Sequence, residues 1–309
     1  MNLEENIKKK VIFGREVISS EKDGKVILGN CLTGNTVKMT KDCYDGQIDI
    51  DNKDFFLLDM SRNNPITGPL YIKGAEPGDT LKVEVLNIVP NEYGMMCVRL
   101  GKGVYHVNGN HCRIYRIKNG IIQFDQGIRI PSRPMIGIIG TCPTTACDTH
   151  SPGPHGGNLD IRDLGIGSTV YLPVYVPGAM LSIGDCHALQ GDGETAICGL
   201  EVSASVTVRV TILKVQLPTP LFETKDTIYT ISWNQSLDQA SLDASRKMHH
   251  YLMSYFCLSD VQAAMLLSLV GDLRISQIVN PLKGCIMCFP KAYLPPMSEN
   301  AREQQPLLL

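Results

Sequence analysis

Between residues 153 and 201 the chain packs His155, Asn158, Asp160, Asp185, His187, Gln190, Asp192, Glu194 and Glu201 into one stretch, most of them beside glycine. A hydrophobic core does not tolerate acids and imidazoles at that density unless they are paired or bind something. A solvated loop has no need of so many metal-capable groups carried on so little steric bulk. The stretch therefore reads as an active site, and the rest of the chain must fold into a frame that holds it.

The frame is mostly β. With 309 residues the chain has enough length for one large domain or two intimately packed halves. Residues 24–59 read as a meander of short strands, GKVILGN, NTVKMT and DCYDGQIDI. Asp42, Asp45, Asp49, Asp51 and Asp54 there serve as turn carboxylates on a solvated edge. After the Pro-Gly-Asp turn at 77–79, Leu81, Val83, Val85 and Ile88 alternate with Lys82 and Glu84, which predicts a half-buried strand. PMIGIIG (134–140) is an apolar strand whose glycines permit close backbone approach. Val170, Leu172, Val174 and Val176 alternate with Tyr171, Pro173 and Tyr175, and Pro173 suggests an edge or a bulge. Val206, Val208, Val210 and Ile212 alternate in a further strand. A faint echo links residues 70–85 with 174–185, each running strand, Gly-Ala, then Gly-Asp.

Helices come late. Ser236 and Gln239 form a capping-box pattern ahead of Ala240, Ala244, Met248, Tyr251, Leu252, Tyr255 and Phe256 at helical spacing. Ser259 and Gln262 open a second helix that stops at Gly271. His249 and His250 are ordinary helix histidines. QIVNPLKGCIMCFPK returns as strand, and the tail beyond Pro295 reads as disordered. The fold class is mainly β, a jelly-roll-like β-sandwich followed by a smaller α/β part with a helical pair. Residues 1–217 form the sandwich region with the catalytic motifs, 218–296 the C-terminal α/β region, and 297–309 a disordered tail.

Charge and composition remove several functions. There are 29 basic and 31 acidic residues and no basic stripe, so nucleic acid is not a partner. The short Lys8-Lys9-Lys10 run fits a solvated terminus. No apolar run reaches the roughly 18 residues of a membrane span, and the N-terminal residues lack a signal-peptide pattern. The expectation is a soluble, cytoplasmic protein with no membrane partner, whose 11 cysteines are reduced and mostly buried. Cys285 and Cys288 read as core thiols, having no second C-x-x-C to complete a zinc ribbon. Cys186 cannot pair with the adjacent His187 on an extended strand.

The chemistry follows from spacing. Asp185 and His187 lie two apart, so on a strand both face one way, and Asp192 and Glu194 repeat the interval. An imidazole with carboxylates on one face suits a divalent ion that keeps a position open for water. Asp160, after Gly156-Gly157-Asn158, supplies a further ligand. Glu194 is placed to move a proton, and the amides of Asn158 and Gln190 suit a substrate amide.

GPHGGNLD (153–160), YLPVYVPGAMLSIGD-x-HA-x-QGDGE (171–194) and Leu200-Glu201 resemble the acetamidase/formamidase family, as do blocks 64–85, 134–140 and 268–281. The resemblance implies hydrolysis of formamide or acetamide to ammonia and the carboxylate, a metal-dependent site and a homo-oligomer, taken as a homodimer or homotetramer. It implies catalytic roles for Glu194, Asp192 and Glu201, substrate binding by Asn158, Gln190 and His155, and metal binding by Asp160, Asp185 and His187. Glu76 and Asp79 could approach the same site. The cofactor is a divalent metal ion, zinc first, with calcium or another ion as alternatives. Departures at Cys186, at Leu189, which narrows the pocket, and in TCPTTACDTHS (141–151) bear on substrate choice. The alternatives are an amidase for another small amide, a cysteine-dependent amidase, and a non-catalytic metal-binding jelly roll.

Overall fold

The computed structural model describes residues 7–12, 15–20, 25–28, 47, 58, 59 and 62–294. Strands are numbered in chain order. The central sheet has eight strands, in spatial order β18 (Asp272–Gln277), β19 (Lys283–Pro290), β17 (Thr227–Asn234), β16 (Leu221–Glu223), β13 (Thr169–Pro173), β5 (Thr80–Pro90), β15 (Ala204–Leu213) and β3 (Lys25–Leu28). Every pairing in it is antiparallel. A second sheet runs β11 (Pro152–Gly153), β12 (Gly156–Asn158), β10 (Met135–Gly140), β14 (Leu181–His187) and β4 (Ile66–Leu70). A third comprises β6 (Tyr93–Val98), β7 (His111–Lys118), β8 (Ile121–Gln123) and β9 (Arg129–Pro131), and β1 (Ile7–Ile12) pairs with β2 (Arg15–Ser20).

Period-2 alternation accounts for the packing. Leu81, Val83 and Val85 of β5, Val206 and Val208 of β15, and Val170 and Leu172 of β13 turn into one core with Ile136 and Ile139 of β10 and Leu181 and Ile183 of β14. That core is the sandwich interior between the eight- and five-stranded sheets. Ile88 is buried although its spacing from Val85 breaks the alternation. A bulge opposite Thr207 and Val208 absorbs Leu86 and restores the phase.

The far face of the eight-stranded sheet carries the helices α1 (Leu237–Phe256) and α2 (Asp260–Val270). In α1, Ala240, Ala244, Met248, Tyr251 and Leu252 are buried, as the stripe predicts. Ser236 caps α1, but Gln239 turns to Asp243 (2.8 Å), so only half of the box forms; around α2, Ser259 and Gln262 complete theirs. An added Cβ at Gly271 would lie 2.7 Å from the backbone oxygen of Leu267, so close packing, and not left-handed backbone, favours glycine there.

Because both faces of the sheet are covered, β13 is buried on both: Tyr171 faces the helical core while Val170 and Leu172 face the sandwich. Pro173 therefore ends an interior strand, opposite Thr80, instead of marking an edge. Cys285 and Cys288 fall into the two separate cores and cannot form a metal pair. Among the described residues, Cys142, Cys147 and Cys257 are the exposed cysteines. The echoing segments lie side by side, with Ile72 N donating to Gly178 O and Gly78 N to Val174 O. Residues 35–46, 48–57 and the tail lie outside the described residues.

Candidate active site

The site gathers at the end of β14, where the second and third sheets meet. Glu201 forms an isolated bridge to Met95 of β6 on one side and His187 of β14 on the other, so a single residue joins the sheets. Asp185 sits inside β14 yet has φ 52°, and with Gly137 opposite it leaves the ladder of β10 and β14 unpaired at that point. Asp160, just past β12, has φ 44°, and Glu194 has φ 47°. Three acids in left-handed backbone at one place mark strain held for function. The Asp185 carboxylate consequently swings to the His187 side although its backbone is not extended.

Five buried groups converge. His187 Nε2 lies 2.9 Å from Glu201 Oε1 and 3.4 Å from Asp185 Oδ1. Among the described residues two sets of ligand atoms come within 4.8 Å of one another, Asp160 with Asp185 and His187, and His187 with Glu194 and Glu201. Beyond these contacts with one another, Asp160 Oδ1, Asp185 Oδ1, His187 Nε2, Glu194 Oε2 and Glu201 Oε2 are buried with no hydrogen-bond partner among the described residues.

The surroundings orient them. Gln190 Nε2 donates to the Asp160 carbonyl (2.8 Å) and more weakly to that of Ser276 (3.4 Å), which turns its Oε1 to His187 Nδ1 at 2.8 Å. An acceptor there requires Nδ1 to carry the hydrogen, so Nε2 presents either a lone pair or a second proton to the carboxylates. Asn280 Nδ2 donates to Asp160 Oδ2 (2.9 Å). At Gly137 an added Cβ would lie 2.6 Å from Asp185 O and 2.7 Å from Asp160 Oδ1, so only glycine lets the two carboxylates close over β10.

Burial, then the Asp185 charge, lifts the Asp160 carboxyl to about 7, against the pull of His187 and Asn280. Burial followed by Asp160 pushes Glu194 well above the ordinary range. Glu201 is also pushed up, by burial and Asp185, against His187. Asp185 is lowered, because the His187 charge and hydrogen bonding outweigh burial. His187 is raised well above the usual imidazole value, since Glu201 and Asp185 outweigh burial. Four buried carboxyl groups around one imidazole cannot all be ionised without protons or a cation among them. The donor set, one neutral-capable imidazole and oxygens with free lone pairs, fits a divalent ion.

Other sequence candidates go elsewhere. Asp192 does not join: Gly193 and Glu194 both take positive φ, so the two-residue spacing no longer puts the acids on one face. Its carboxylate instead takes Arg274 in a bidentate pair (2.8 and 2.9 Å) and Arg162 at 3.2 Å. Gln190 has both ends engaged, Oε1 on His187 Nδ1 and Nε2 on the two carbonyls, and so positions the ring. His155 lies apart, its Nε2 3.7 Å from Cys147 Sγ. Asn158 is buried, donates Nδ2 to His150 O (3.2 Å) and keeps a bare Oδ1. Glu76 and Asp79 do not reach the site; Asp79 Oδ2 accepts from Glu76 N and Lys214 Nζ.

Sequence reasoning missed Gly137, Asn280 and Arg274. All three lie in the blocks 134–140 and 268–281 whose likeness to a family is noted above, and that is the one signal that pointed to them. Arg274 also holds Asp163 (2.7 Å), and Gly193 N reaches the carbonyls of Ile275 and Ser276, so β18 props the loop that carries Glu194.

The acetamidase/formamidase family model matches residues 26–148 and 144–293. An acetamidase structure from Bacillus halodurans is 38% identical, with a TM-score of 0.80 over 86% of this chain and 96% of that one. An acetamidase structure from Yersinia enterocolitica is 30% identical, with a TM-score of 0.78 over 84% and 83%. The formamidase of Methylophilus methylotrophus is 24% identical over 299 residues, 74% of each chain. The chain spans about 60% of the length of two other curated relatives, a Schizosaccharomyces pombe homologue 32% identical to this chain and the acetamidase of Mycolicibacterium smegmatis, 26% identical to this chain. The chain belongs to the acetamidase/formamidase family.

Proposed function

We propose that the chain is a metal-dependent amidohydrolase that cleaves short aliphatic amides such as formamide and acetamide to ammonia and the carboxylate. The observation that carries this is the convergence of four buried carboxyl groups, Asp160, Asp185, Glu194 and Glu201, on the His187 imidazole, with Gln190 fixing the hydrogen on Nδ1. Asp160, Asp185 and His187 hold the ion, zinc before calcium because an imidazole sits among the oxygens. When bound, a divalent ion polarises a carbonyl oxygen and brings the pKa of water near neutrality.

Glu194 is the general base. It stands in a strained turn, its Oε2 is free, and burial with Asp160 beside it raises its proton affinity. It takes the proton of the attacking water as the C–O bond forms and returns it to the nitrogen as the C–N bond breaks, releasing ammonia. Glu201, 2.9 Å from His187 Nε2, holds that ring by charge and is the next candidate for base. Asn158 Oδ1 is an acceptor for the substrate NH2. The same reading carries a homodimer or homotetramer, which light scattering measures, and a cytoplasmic setting. Among the described residues no helix is long and apolar enough to cross a membrane.

The test is ammonia release from formamide and acetamide, with and without a chelator, beside metal analysis. Asp185→Ala and His187→Ala lose bound metal, whereas Glu194→Gln keeps metal and loses turnover. A stoichiometric ion with no ammonia from any short amide would establish the non-catalytic binder instead.

A further inference from the structure

A cavity of about 250 Å³ opens beside the cluster, between the 189–200 loop and the third sheet. Its walls are apolar: Met96, Tyr115, Ile122, Ile130, Leu189 and Leu200. Gln190 and Glu194 of the site also line it. Gly199, also in the lining, backs onto the Nδ1 edge of the His187 ring, where an added Cβ would lie 2.5 Å from Nδ1, so the cavity lies behind that ring and meets the cluster at Glu194. The polar side chains on its border are otherwise engaged. Asp192 holds Arg274, Thr195 Oγ1 meets Tyr105 OH at 3.0 Å, and Tyr115 OH donates to Asp125 (3.0 Å), leaving its ring as wall. Tyr115 stacks on Phe124 at 4.8 Å, and Phe124 is 38% exposed at the mouth.

The size is out of proportion to acetamide. An apolar cavity of roughly 150 Å³ suffices for benzene, and a single methyl group would leave most of this one to water. We propose that the cavity is the acyl pocket, and that the preferred substrates are primary amides bearing an apolar alkyl or aryl group about the size of a phenyl ring. This rests on the amide-hydrolase reading above. Leu189, Met96 and Ile122 then set specificity by contact with the acyl group, and Glu194 in the lining sets where the carbonyl must stop.

Steady-state ammonia release from formamide, acetamide, hexanamide and benzamide by the full chain tests it. Each further buried methylene is worth roughly fourfold, so hexanamide or benzamide exceeds acetamide in kcat/KM by at least about tenfold. Leu189→Phe and Ala196→Leu, both at positions lining the cavity, made separately and each checked for cooperative melting, fill it and lower the hexanamide-to-formamide ratio by about tenfold or more. A preference for acetamide over both larger amides overturns the assignment. So does an unchanged ratio in both folded variants. Ammonia from none of the four amides removes the hydrolase reading itself, and the pocket assignment with it, whereas release from formamide and acetamide alone removes only the pocket.

Discussion

Gly137→Ala isolates the close approach on which the site depends. Gly137 has ordinary negative-φ or extended backbone, so alanine brings no dihedral penalty, and the whole effect is steric. Its methyl would lie 2.6 Å from Asp185 O, 2.7 Å from Asp160 Oδ1 and 3.0 Å from Asp185 Oδ2. Neither carbonyl nor carboxylate can retreat freely. Asp185 O belongs to β14, and Asp160 is held through Asn280 and Gln190. Overpacking of this kind costs about 1–3 kcal/mol, which in a chain of this size lowers Tm by roughly 1.5–5 °C. Displacing either carboxylate by about 1 Å lowers turnover on the order of 100-fold. Gly191→Ala is the matched control, since an added Cβ there meets nothing within 4 Å. It should stay within about 0.5 kcal/mol of the native protein. The measurements are thermal melts, metal content and ammonia release on all three proteins. A Gly137→Ala protein that melts, binds metal and turns over like Gly191→Ala would refute the reasoning.

Gln190→Leu removes the acceptor that fixes the His187 hydrogen while keeping bulk, and should weaken metal binding by roughly 10- to 100-fold; competition titration against a chelator reads it. Asp192→Asn should retain turnover within severalfold while Arg274→Leu loses about 1–2 kcal/mol of stability by stripping Asp163 and Asp192 of their partner. Activity lost in Asp192→Asn with an unchanged melting curve would restore Asp192 to the chemistry. Asp79 is held below its ordinary value, Lys214 and the Glu76 amide outweighing burial, so its ionised form stabilises the fold. That contribution is complete above the ordinary value of 3.8 and disappears as pH falls through the lower folded value. Asp79→Asn should therefore be less stable than the native protein at neutral pH, with the gap closing in acid-denaturation curves below that point.

By itself the sequence determined the parts whose cause is local. Alternation in β5 and β15 follows from side chains pointing to opposite faces, and the stripe from Ala240 to Leu252 from helical geometry, so sandwich and helical pair were both legible. The Asp185-x-His187 interval lies within one short element too, but left-handed backbone at Asp185, and not strand alternation, turns its carboxylate to the imidazole. Tertiary structure decided membership of the site. Asp192 and Glu194 have the same spacing, yet Gly193 and Glu194 in left-handed backbone part them, and Arg274, 82 residues away, takes Asp192. Gln190 looked like a substrate amide until two carbonyls, one from the C-terminal region, claimed its NH2. Asn280 reaches Asp160 across 120 residues, and Gly137 matters only because two other segments fold over it. Spacing along a chain constrains neighbours within a few residues; which distant donor answers a buried carboxylate is settled when the sheets close and the unsatisfied groups must find partners.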